Sequence, residues 1–319
     1  MVCWEAEQTQ LRGVVEVEGV GRCVDAAWGP GGRKIGLDGH PTRDLEDYFG
    51  SLRAVAFAPY DDGIVTGEPK RRRRWIDRAA FTIQPSHLHL VKTFRKTNQQ
   101  IAALLKEDRP DLGVFEAYIE RLCEHSALLS HQREQALLAV QVQAAEHYRH
   151  ISGEAETLEL SYRCQANGAT KEERKQAFVS LCEERKHEML RRRRVLVGSH
   201  LDDVHICLSG QEARRFGSRG QVRSTVLSLK LSELGAARRG KDVPLFLLDD
   251  LSSELDSTRT TRLVEALVAL QAQVVLTTTD PVSLSHALRE QSVRWFHVAQ
   301  GSVTECSREN LKDRFKVNK

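Results

Sequence analysis

The sequence predicts an α/β protein assembled from its two ends, with a helical lobe inserted between them. Three observations carry this. Short continuous apolar runs, expected of strands buried in a parallel sheet, lie near both ends: Ala54 to Phe57, Val243 to Leu248 and Val274 to Leu276. Stretches of helical periodicity over 86–106, 112–150 and 171–194 fill the middle. One apolar run ends in Asp249-Asp250, at the strand end where open α/β sheets bind ligands. The expected division is 1–76 and 195–319 for the α/β lobe and 77–194 for the insert.

Composition narrows the class. With 319 residues the chain can bury a substantial core. Its 40% hydrophobic and 29% charged residues are ordinary for a globular protein. No apolar run approaches the ~20 residues that span a bilayer, and Met1 to Glu7 lacks the basic start and apolar core of a secretory signal. Seven cysteines without a C-x-x-C pair point to reduced thiols in the cytoplasm. A net charge of only +3 means that any nucleic-acid surface must come from local patches.

In chain order, residues 11–37 alternate apolar and polar positions between glycines and predict antiparallel hairpins. Asp44 to Leu52 predicts a short helix, followed by the strand Ala54 to Phe57. Arg71 to Arg74 then form a run of four arginines, able to meet DNA phosphates or to be simply solvated. Pro110 breaks the next stretch into two long helices, and the stripe Phe115, Tyr118, Ile119, Leu122 and Leu129 is core packing. Thr157 to Arg163 alternates as a strand. Lys171 to Arg194 is a helix with nine Lys and Arg against five Glu, ending in a second run, Arg191 to Arg194. Those arginines either complement the helix dipole or face DNA. Val195 to Asp203 returns the chain to the sheet, and Val293 to Val298 with Ser302 to Glu305 predicts a closing hairpin.

The stretch from Phe216 to Asp280 carries the chemistry. Ser218 and Gly220 precede a helix with apolar positions Val222, Val226, Leu229 and Leu234. A helix start has unpaired N–H groups and a partly positive end that suits a phosphate, although a Ser there is also an ordinary cap. Asp249 suits Mg²⁺, which takes a few carboxylates together with phosphate oxygens. Asp250 can orient or deprotonate water. Thr277 to Thr279 end the last apolar run, where hydroxyls can meet a phosphate or merely suit a strand.

Taken together, these pieces resemble the ABC-type P-loop ATPase heads, and more closely the RecF family of bacterial recombination proteins. The matching residues are a signature loop from Ser218 to Gln221, a Walker B strand ending in Asp249-Asp250, a D-loop Ser253-Glu254-Leu255-Asp256 and the terminal threonines. A strand leading into Pro59, then Gly67-Glu68-Pro69, paired arginines and Asp77 extend the likeness, as do Gly198, His200, Asp202 and Asp203. Ser199 and Leu201 depart from the family's usual Gly-Pro-His-Arg-Asp-Asp.

The resemblance implies a set of roles. Asp249 would be the Mg²⁺ ligand and Asp250 the catalytic carboxylate. Ser218, Gly220, Gln221, Asp256 and Thr278 would contact ATP, the first two across an ATP-dependent homodimer. Arg71, Arg72 and Arg191, Arg192, Arg193, Arg194 would meet DNA, whether gapped, single- or double-stranded. Partners would be RecO- and RecR-like proteins that help load recombinase.

A P-loop, G-x-x-x-x-G-K-[ST], is expected of such a head but is not found in the 319 residues. Gly235, Gly240 and Lys241 have its spacing, but Asp242 stands where Ser or Thr should. The expectation is therefore either a P-loop lying upstream or a truncated form, with no ATP hydrolysis by the 319 residues alone. The alternative to an ATP-modulated DNA-binding repair protein is a nucleotide-free scaffold of the same ancestry.

Overall fold

A computed structural model describes residues 6–17, 19–153, 156–238, 244–250, 255–289 and 291–308. The chain opens with an antiparallel sheet of β1 (Thr9–Val17), β2 (Val20–Gly29), β3 (Gly32–Leu37) and β4 (His40–Pro41), in that order. Asp38 and Gly39 turn β3 into β4 with φ of 53° and 81°, the left-handed pair that a two-residue hairpin turn requires. Gln300 and Gly301 do the same, at 48° and 77°, between β11 (Trp295–Ala299) and β12 (Ser302–Cys306).

Helix α1 (Leu45–Gly50), capped by Asp44, leads to β5 (Ala54–Phe57). A single helical turn at Pro59–Asp62 precedes α2 (Gly63–Thr66) and α3 (Pro69–Ile83). Next come α4 (His87–Leu104) and the 41-residue α5 (Leu112–Ser152). Asp111 starts α5 by accepting from the N–H groups of Gly113 and Val114, and Gly153 ends it at φ 66°. After β6 (Leu158–Arg163) comes α6 (Lys171–Arg192), held at its start by a reciprocal cap between Thr170 and Glu173.

The strand expected directly after α6 begins later, as β7 (Asp203–Leu208), because 195–202 is loop. It pairs with β6 and with β8 (Gln211–Glu212), not with the parallel sheet. Next come α7 (Ala213–Phe216), α8 (Arg219–Ala237), β9 (Leu245–Leu248), α9 (Ser257–Ala269), β10 (Gln273–Leu276) and α10 (Pro281–Ala287).

The parallel sheet has the order β10-β9-β5. One face, with Val55, Phe57, Phe246 and Leu248, is sealed against α8 and its neighbours. The runs expected to be buried are less so: β5 and β9 are buried on one face only, Leu247 being 37% exposed, and at the sheet edge β10 exposes both Val274, at 37%, and Val275, at 52%. Helix α8 is wrapped on almost every side, so that even Ser224, Ser228 and Ser232 are buried.

Two cores form. The larger joins β5, β9, α8 and α9 to α3, the C-terminal half of α5 and β6. The smaller packs α4, the N-terminal half of α5 and α6, running from Leu90 to Leu129 and from Ala166 to Val197. The helical core is thus narrower than the expected insert of 77–194, because α5 is long enough to belong to both.

Candidate functional site

The end of β9 is fixed by backbone pairing. The Asp249 N–H donates to Phe57 O at 3.0 Å, and the Thr277 N–H to Leu248 O at 2.9 Å. The register Leu276↔Leu248 therefore sets Thr277 beside Asp249. Thr277 Oγ1 donates to Asp249 Oδ1 at 2.8 Å and accepts from the Asp250 N–H at 2.9 Å. Asp250 sits at φ 51°, a left-handed conformation that Asp tolerates better than most residues. One hydroxyl thus holds the Asp249 carboxylate and the Asp250 backbone at the C-terminal edge of the sheet, with Asp249 exposed.

Of the three threonines, then, Thr277 meets the carboxylates. Thr278, the expected nucleotide contact, instead accepts from the Asp280 N–H at 3.0 Å, a local turn. Parallel strands of equal length carry the signal for this, since they align the residues that follow them.

Ser218 begins α8 as half of a reciprocal cap. The Ser218 N–H donates to Gln221 Oε1 at 2.7 Å, and the Gln221 N–H donates to Ser218 Oγ at 3.3 Å. Gln221 Nε2 donates to Glu156 Oε1 at 2.6 Å, so both ends of its amide are engaged inside the fold. That corrects the expected nucleotide role of Gln221: its amide holds the cap and an adjoining loop. Ser218 is exposed, and the guanidinium of Arg259 lies over Gly220, where Nη1 would stand 2.5 Å from any added Cβ. Asp256 caps α9 by accepting from the Arg259 N–H at 2.8 Å and pairs with its guanidinium at 3.4 Å. Arg259, which sequence reasoning missed, thus ties the start of α9 to the signature loop. Ser253 and Glu254 of the D-loop lie outside the described residues, as do Gly240, Lys241 and Asp242.

The first arginine run turns inward. Arg72 is buried and grips Asp203 with two bonds, at 2.7 and 2.9 Å, and donates to Gly67 O at 2.9 Å. Its expected DNA contact is corrected: a guanidinium buried in the fold and paired bidentately with Asp203 is closed off from a phosphate backbone. Arg73 donates to Asp202 O at 2.7 Å. Arg71 is exposed and donates to Tyr60 O at 3.3 Å.

Behind this run lies a buried network. Arg133 pairs with Asp77 at 2.8 and 3.1 Å and donates to Ser199 O at 2.7 Å. Asp202 accepts from Ser130 and Tyr162, both at 2.6 Å. Burial opposes charge on Asp77, but Arg133 and then His87 outweigh it and hold its carboxyl well below the usual range. Burial, seconded by Asp202, pushes the Tyr162 hydroxyl well up.

The family-like residues Asp77, Asp202 and Asp203 therefore join the two cores rather than a ligand. Arg133 and Tyr162 complete this joint. No spacing rule points to them, because their partners are 56 and 40 residues away. A second buried set links the loop after β5 to α8: Lys230 Nζ lies 3.3 Å from Asp61, with burial drawing Lys230 down and Glu233 up.

The second run stays outside. All of Arg191 to Arg194 are exposed. Arg192 pairs with Glu188 at 2.8 Å, and Arg193 ends α6 at φ 51° and reaches Asp108 at 3.3 Å. Among the described residues no group of three His, Cys, Asp or Glu side chains is placed to hold a metal by itself. No helix among the described residues is long and apolar enough to cross a membrane.

Comparison with known proteins places this geometry. No family model matches the chain. Over 307 residues it is 34% identical to the DNA replication and repair protein RecF of Geobacter sulfurreducens, covering 95% of this chain and 83% of that protein. Among solved structures it is similar to the recombination mediator protein RecF with ATP, of the RecFOR pathway, with a TM-score of 0.83, 24% identity, and 95% and 82% of the two chains covered. A more distant likeness is to the Smc head domain with a coiled coil and joint from Pyrococcus yayanosii, with a TM-score of 0.55, 11% identity, and 98% and 84% covered.

Proposed function

This chain belongs to the RecF family, with the fold of an ABC-type ATPase head, and from that premise we propose that it acts as an ATP-modulated DNA-binding protein in recombinational and replication-gap repair. The observation that carries the reading is the Asp249–Thr277–Asp250 junction at the end of β9. In this reading Asp249 would hold Mg²⁺, and Asp250 would orient the attacking water. The metal, when bound with ATP, would neutralise phosphate charge. The chain's own contribution is to hold the two carboxylates in fixed relation. Two adjacent like charges repel, and the Thr277 hydroxyl fixes one carboxylate, Asp249, and the left-handed backbone that carries the other.

Ser218 and Gly220 serve the other side of the reaction. They present the N-terminus of α8 to the γ-phosphate of a nucleotide held by a second subunit. The Arg259 guanidinium over Gly220 adds positive charge there. DNA would be met by exposed arginines, Arg71 and Arg191 to Arg194. RecO- and RecR-like proteins would be the partners in loading recombinase.

The test is fluorescence anisotropy on gapped duplex DNA, with and without Mg²⁺-ATP. The reading predicts binding that Mg²⁺-ATP strengthens, a gain lost in Ser218→Arg, which sets bulk and charge where the phosphate must dock. Asp250→Asn should keep the gain and remove any turnover. Binding indifferent to Mg²⁺-ATP would leave a DNA-binding scaffold that does not use nucleotide. No binding to gapped DNA would overturn the reading.

A further inference from the structure

Helices α5 and α6 run side by side with three rungs between them. Glu134 pairs with Arg174, and Glu116 pairs with Lys186 at 2.5 Å. Between these two ion pairs, Cys123 and Cys182 bring their sulfurs to 3.6 Å. The partner numbers fall on α5 as they rise on α6, so the ion pairs fix an antiparallel register in which these two sulfurs must face each other. Both are sealed in the smaller core, 1% and 2% exposed. The absence of any three-member ligand cluster among the described residues gives them no metal to share.

We propose that Cys123 and Cys182 are an oxidisable dithiol, a modification site at which a hydroperoxide closes a disulfide that staples α6 to α5. The Cys123 thiolate attacks the peroxide O–O bond, becoming a sulfenic acid and releasing water or alcohol. The Cys182 thiolate then attacks the sulfenic sulfur and expels its oxygen as water. Two thiols lose two electrons and two protons, and the peroxide takes them up. The shared hydrogen bond draws Cys123 down and pushes Cys182 up, which makes Cys123 the attacking sulfur and Cys182 the resolving one.

A disulfide needs the sulfurs about 1.5 Å closer than they stand. A change of side-chain rotamer with a small slide of α6 supplies it, and the flanking ion pairs keep the register. Since both sulfurs are sealed, oxidation follows local opening of α6 and speeds up when that opening is made easier. The odd count of cysteines and their scattered spacing hide the pair from the sequence, which reads as reduced thiols. In the structure the six described cysteines are unbridged.

The experiment exposes the reduced full chain to hydrogen peroxide, digests it without reductant and reads the peptides by mass spectrometry. The expected product is a Cys123–Cys182 linked pair, lighter by two hydrogens and reversed by dithiothreitol. In Cys182→Ser, whose fold circular dichroism checks, Cys123 should accumulate as a sulfenic acid captured by dimedone, well above its level in the unaltered chain. Recovery of the two cysteines as unlinked thiols or sulfinic acids would overturn the proposal. So would linkage to Cys164 or Cys207 in preference to each other.

Discussion

Two runs of four arginines, 71–74 and 191–194, are identical as text and opposite as structure. The first opens α3, and its second member is swallowed by the fold, gripping Asp203 beside the Arg133–Asp77 pair. The second closes α6 and points all four side chains to water. The difference lies in what surrounds each run. The first is followed by Trp75, Ile76, Ala79 and Ala80, which pull α3 into the larger core and carry Arg72 with them. The second follows the last buried residue of α6, Met189, and the apolar residues that turn the chain back inward, Val195 to Val197, come only after all four arginines have passed. A charge run is thus read by the apolar residues beside it: the first leaves only Arg71 and Arg74 exposed, whereas the second leaves all four arginines open to a phosphate backbone.

The comparison can be broken first where the effect is largest. Arg133→Ala leaves Asp77 buried without its partner, and breaking such a pair costs about 3–5 kcal/mol. Urea denaturation should show a loss of that size. A loss below ~1 kcal/mol would mean that the joint between the cores is not held by charge.

The pH dependence comes next. The folded Asp77 carboxyl lies below its unfolded value of about 3.9. The stability it contributes is therefore fully present above that value and is lost as pH falls through and below it. Urea midpoints taken from about pH 5 downward should fall less steeply in Asp77→Asn than in the unaltered chain. Equal slopes would assign acid sensitivity to other groups.

Arg72→Lys sharpens the contrast within the first run. It keeps the charge but loses the planar fork that holds both Asp203 oxygens. About 1–2 kcal/mol of stability should go with it, in line with a lost charge-assisted hydrogen bond. The smallest effect belongs to the second run, where replacing Arg191 to Arg194 by Ala should move stability by about 0.5 kcal/mol or less, as for exposed pairs. A larger change would show that Arg193 at the end of α6 has a structural role beyond its contact with Asp108.

Much of the fold is legible in the sequence. Periodicity yields the hairpin sheet from its alternation between glycines, and α4, α5, α6 and α8 from apolar residues at helical spacing. Parallel β9 and β10 are found, but their burial on both faces is not. An apolar run shows what a strand can bury, not whether a helix covers its second side, and here Leu247 and Val275 face solvent. At the candidate site, Asp249, Asp250 and Ser218 stand out because adjacent carboxylates after an apolar run are rare and a cap precedes its helix. Thr277 is hidden in a row of three threonines until strand register singles it out. Arg133 and Tyr162 are hidden more deeply, since their meaning depends on partners far along the chain. The likeness to one family singled out Arg72 and Asp203 but could not say that they hold each other.

The most direct test of the account is the salt dependence of duplex DNA binding. Each phosphate contact on duplex DNA contributes about 0.9 to the slope of log K against log salt. If the second run is the phosphate surface, replacing Arg191 to Arg194 by Ala should lower that slope by about 2 to 4. The circular dichroism and urea midpoint should stay as they were. An unchanged slope and affinity would contradict the account and leave the second arginine run without a part in DNA binding.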